Sequence, residues 1–119
     1  MPRRGTPDYL TDGDIFGQYT SPEELEMIKH VVMWRYKDKS DIEIARNQLE
    51  SLRNRVPTML SIETGVNFLG SSTSWDLVLI TEHKDRASLD VYQEDSLHAE
   101  VKAVLGKLES ERAVVDYES

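Results

Sequence analysis

The stretch MIKHVVMWRYK, residues Met27–Lys37, decides the fold. Its β-branched and aromatic side chains alternate with the period of a strand. One parity holds Ile28, His30, Val32, Trp34 and Tyr36, and the other holds Val31 and Met33. Apolar residues on both parities call for cover on both faces of the strand. A domain of this length supplies cover for one face, so the second becomes a question of assembly.

Working outward, Ser40 and Glu43 have the spacing of a capping box. Ile42, Ala45, Leu49, Leu52 and Val56 then recur at three and four, a helix with one apolar stripe that Pro57 ends. MLSIETGVNFL reads as a second strand, GSSTS as a loop and WDLVLITEH as a third strand, the last two strands forming a hairpin. Asp85 suits the cap of a short helix through Tyr92. Asp95 or Ser96 suits the cap of another, with Leu97, Val101, Val104, Leu105 and Leu108 on one face. RAVVDYE closes the chain as a fourth strand.

This order predicts an α+β, ferredoxin-like βαββαβ domain with its second helix split. Such a sheet covers one face with its own helices. The other, taken here to carry Ile28, Val32 and Trp34, would be a large bare apolar patch. A second copy is the natural cover, so two subunits are expected to form a dimeric α/β barrel.

Residues 1–26 differ from the rest. They hold three of the four prolines and three of the six glycines, with two basic against six acidic residues. This reads as an amino-terminal extension: an arm, a leader or a disordered tail. Within it, SPEEL from Ser21 has the signature of a short helix start. The compact domain is expected over 27–119.

The net charge of −8 disfavours nucleic acid and anionic membrane surfaces as partners. No apolar run nears the ~18 residues that span a bilayer. With no cysteine there is no disulfide and no thiolate metal site, which fits a cytoplasmic protein. The three histidines lack short ligand spacing, so no metal site is expected beyond what scattered carboxylates offer a hard cation. There is no Gly-rich phosphate loop and no nucleophile elbow.

The ordered combination of Ile28-Lys29-His30, Val56-Pro57, Tyr92 to His98 and Val115-Asp116-Tyr117 resembles the stress-responsive dimeric α/β barrel (Dabb) family over about Met27–Glu118. The resemblance implies the homodimeric barrel already expected, an internal pocket open to a small organic ligand, and no cofactor. Many members have no assigned role. One plant member is a polyketide (olivetolic acid) cyclase that closes a poly-keto acid by an aldol step. By that resemblance His98 falls on the catalytic histidine, Tyr92 on the tyrosine beside it, Asp116 on the aspartate that orients the histidine, and His30 on a pocket histidine. Val32 and Trp34 would share the pocket with His30. The chain departs from many members in having Asp95-Ser96 where they have His-Pro, and in the bulk of Trp34 at a pocket wall.

Three functions follow. The first is a stress-responsive barrel protein whose pocket has no assigned role. The second is a cofactor-independent cyclase or lyase acting on a small keto acid or polyketide. There His98 is the general base and Tyr92 donates to a developing oxyanion. The third, a monooxygenase-like barrel, rests on fold analogy alone. Against catalysis stands a structural role: His98, Tyr92 and Asp116 can equally pin the last helix to the last strand, and His30 can be a core histidine with one backbone partner. His83, beside Lys84 and Asp85, reads as surface.

Overall fold

The structure is a computed structural model that describes residues 27–119. The expected amino-terminal extension and its SPEEL helix lie outside the described residues. The elements run β1 (Ile28–Tyr36), α1 (Asp41–Glu50), β2 (Ser61–Val66), β3 (Leu77–His83), α2 (Arg86–Gln93), α3 (Ser96–Leu105) and β4 (Ser110–Glu118). The strands form one antiparallel sheet in the order β2-β3-β1-β4. This is the ferredoxin-like arrangement, with the second helix divided into α2 and α3.

Local chemistry explains most boundaries. Asp85 caps α2 by accepting from the Ser88 N–H at 2.8 Å. Asp95, not Ser96, caps α3, accepting from the N–H groups of Leu97 at 2.8 Å and His98 at 3.4 Å. The capping box expected at α1 does not form. Ser40 has helical backbone angles and makes no side-chain cap bond. Its hydroxyl donates instead to Asp38 at 2.7 Å. Helix α1 is also shorter than its apolar stripe. After Glu50 the chain tightens into turns, and Asn54 takes a left-handed φ of 63°. Leu52 and Val56 are buried all the same, within the one core cluster.

The register assigns the two faces of β1. Val32 lies opposite Leu79 on β3, and Val31 opposite Ile80. Ile28, Val32 and Trp34 are 3%, 1% and 5% exposed, packed beneath the helices with Leu49, Leu52 and Val101. This corrects the expectation that these three form the bare patch. The bare face carries the other parity: Val31 and Met33 of β1, Val78 and Ile80 of β3, and Ala113 and Val115 of β4. Both parities are apolar, so alternation alone could not say which one the helices would cover.

The two faces should respond oppositely to charge. Val32→Asp or Trp34→Asp buries an unpaired carboxylate at a cost of several kcal/mol, a large share of the roughly 5–15 kcal/mol that holds a domain together. Circular dichroism should then show no cooperative melt. Val31→Asp, on the uncovered face, should keep the secondary structure and a cooperative transition.

Candidate functional site

The chain's three histidines converge on one tyrosine. Tyr92, on the last turn of α2, is fully buried. Its ring centroid lies 4.3 Å from that of His98, 4.8 Å from His83 and 5.9 Å from His30. Its hydroxyl is buried without a hydrogen-bond partner among the described residues. Burial pushes the Tyr92 pKa up to about 12, so the phenol stays protonated.

Each imidazole is held differently. His30 stands directly opposite Asp116 in the β1–β4 ladder, on the same face, and its Nδ1–H donates to the Asp116 carboxylate. Its Nε2 has no partner among the described residues. His83 is fully buried, not at the surface. Its Nδ1–H donates to the Thr58 carbonyl at 2.9 Å, which leaves Nε2 to accept from the Thr81 hydroxyl at 2.9 Å. Both of its nitrogens are thereby occupied. His98 lies in the first turn of α3. Its Nδ1–H donates to the Gln93 carbonyl at 3.3 Å, so the unprotonated nitrogen of the neutral ring is Nε2.

Burial pushes the His83 and His98 pKa values below 6.5. At His98 burial is the largest influence; the Gln93 carbonyl and Asp95 oppose it, the Lys102 ammonium and His30 act with it, and the net direction is down. A ring held neutral with a free Nε2 is in the form that accepts a proton.

A cavity of about 380 Å³ opens between the sheet and α3. His30, Val32 and Trp34 line its sheet side, and His98 and Val101 its helix side. Trp34 walls this space without filling it, and the volume lies in the range of small-molecule sites, roughly 300–1,000 Å³. The cavity lies within one subunit, on the helix side of the sheet. Tyr92 stands behind its wall. Asp116 contacts His30 and not His98, because cross-strand pairing aims the carboxylate at the strand residue facing it. Among the described residues no three His, Asp or Glu side chains are grouped to hold a metal ion. None of the described helices is long and apolar enough to cross a membrane.

The family model described as Stress responsive A/B Barrel Domain (Dabb) matches residues 28–119. The chain belongs to the Dabb family. The match spans the whole ferredoxin-like unit, strands and site together. Solved structures share the Dabb chain's fold. A dimeric protein of unknown function from Bacteroides fragilis is 24% identical, with TM-score 0.67, over 78% of this chain and 96% of that one. A dimeric ferredoxin-like protein of unknown function from Thermobifida fusca is 16% identical, with TM-score 0.70, over 79% and 92%. The hydroxynitrile lyase from Passiflora edulis is 16% identical, with TM-score 0.69, over 80% and 94%. No curated protein matches the chain.

Two features escaped the sequence reading. His83 shares its parity with the buried Leu77, Leu79 and Thr81, so strict alternation along β3 would have placed it inside. Its charged neighbours obscured that signal. Lys102 and Arg112, which also line the cavity, carry no local mark of it.

The lowered histidines make stability depend on pH. Their folded-state values lie below the unfolded value of 6.5, so the unfolded chain takes up protons first as pH falls. Stability present above 6.5 is therefore lost as pH falls through the two folded-state values. Asp76 and Glu50, also held low, give up their contributions only below 3.8 and 4.5. The melting temperature should drop between about pH 7 and pH 5. His83→Gln and His98→Gln should each flatten that slope in thermal scans.

Proposed function

We propose that this protein is a homodimer and that its pocket performs cofactor-independent acid–base chemistry on a small carbonyl compound, of the aldol, cyclising or lyase type. One observation carries the reading: His30 and His98 line the same cavity, each with Nδ1 committed elsewhere and Nε2 without a partner among the described residues. Two imidazoles so held can play complementary parts. His98, kept neutral, accepts the proton from the carbon beside a carbonyl. His30, in its doubly protonated form, donates from Nε2 to the enolate oxygen while Asp116 holds its other side. The enolate carbon then attacks a second carbonyl of the same molecule, and the protons are returned; the reverse sequence cleaves the bond. That one neighbour in fold is a hydroxynitrile lyase is compatible with this reading, and the fold alone does not carry it.

Asp116 is thus assigned to His30, in place of the orienting role toward His98 that the family resemblance implied. Tyr92 is assigned as a positioning residue. Its ring packs on His98 from behind the cavity wall, and its hydroxyl is not among the groups lining the space.

The homodimer rests on the bare face. Val31, Met33, Val78 and Ile80 form an apolar centre with Lys29 and Glu82 at one end and Arg35 and Glu111 at the other. That is an apolar middle with an ionic rim, as a stable interface requires. Neighbours of this fold from two bacteria are described as dimeric. The absence of cysteine and the net charge of −8 are consistent with a cytoplasmic protein that binds no nucleic acid.

Proton exchange tests the chemistry. In D2O, NMR of a panel of β-keto acids and β-keto thioesters should show enzyme-dependent loss of the α-proton. His98→Gln should slow it by about 100-fold or more. Tyr92→Phe should retain most of the rate, whereas Tyr92→Leu should not. No exchange with any panel member, or equal rates for His98→Gln, would leave a binding protein. Light scattering tests the dimer: Ile80→Asp should yield a folded monomer.

A further inference from the structure

The remaining charged groups around the cavity are both cationic. Lys102 projects from α3 one turn beyond His98, and Arg112 lies on β4 opposite Trp34. Among the described residues neither forms an ion pair with a carboxylate and no acidic side chain lines the cavity. This is notable in a chain with 22 acidic and 14 basic residues. Most of the remaining wall is apolar, with Val32, Trp34, Leu49, Leu79, Val101 and Leu105, and Ser110 adds a hydroxyl.

We infer that the site takes an amphiphilic carboxylate, whose apolar body lies along the Trp34–Leu105 wall and whose anionic head is held by Lys102 and Arg112. The inference names the substrate class of the pocket proposed above and rests on that reading. An ammonium and a guanidinium on opposite walls give a single anion two directions of charge-assisted hydrogen bonding. The apolar stretch excludes a fully hydrated ligand and favours one with a hydrocarbon body. Two cations at one cavity of an acidic protein also concentrate field lines there, and draw anions toward it. Lys102 and Arg112 thereby fix which end of the ligand faces out, and so which carbon meets His98.

The test is a comparison of head groups on one tail. Decanoate, decanamide and decyl phosphate are titrated into the intact protein by calorimetry, with the Trp34 indole N–H followed by NMR. Decanoate should bind about tenfold more tightly than decanamide, with a preference that shrinks as salt rises. The double variant Lys102→Gln, Arg112→Gln should lose that preference while keeping its affinity for decanamide. Lys102→Glu with Arg112→Glu should favour decylamine over decanoate. Equal affinity of the native protein for decanoate and decanamide would overturn the anion assignment and leave the pocket standing. Tighter binding of decyl phosphate would move the head group from carboxylate to phosphate and overturn the carboxylate class. If no ligand moves the Trp34 signal, the pocket reading fails along with the inference.

Discussion

Everything in this molecule depends on a central strand that is apolar on both sides. β1 has a neighbour on each edge, β3 and β4, and side chains that need cover above and below. Its helices cover one face, and that burial builds the core. At roughly 25 cal/mol per Å² of apolar surface removed from water, residues such as Trp34 and Tyr36 contribute heavily there. The other face has no helix over it among the described residues. The same strand thus creates the core, a reason to pair and, through His30, one half of the candidate site.

The site exists because β4 is an edge strand that the helices cover incompletely. Its residues are mostly exposed, yet their register places Asp116 against His30 and Arg112 beside Trp34. A cavity remains where α3 leans over this half-covered region. Two imidazoles line it, and among the described residues the charged side chains on its walls are cations. Stability is not the obvious reason to keep such an arrangement. Burying His83 and His98 costs proton affinity, and the Tyr92 hydroxyl is sequestered without a partner, which typically costs about 1–3 kcal/mol.

The positions that misled the sequence reading share a cause. Ile28, Val32 and Trp34 were placed on the bare face because alternation reports that two faces differ and not which one the helices choose. His83 was placed outside because its neighbours Lys84 and Asp85 are charged, although its parity matches the buried residues of β3. Asp116 was paired with His98 through the family resemblance, whereas cross-strand geometry gives it to His30. In each case the deciding contact is long-range, and neither local pattern nor resemblance supplied it.

Period, caps and breakers were local, and so the sequence by itself determined the element order, the ferredoxin-like class and the split of the second helix. Each of those features depends on neighbours a few positions away. Only the tertiary structure decided which face of β1 is core, which histidine meets the aspartate, and that Lys102 and Arg112 flank one cavity. Those facts join residues up to 86 positions apart, as His30 and Asp116 are. They are set by register and helix docking, and no local pattern in the chain encodes them.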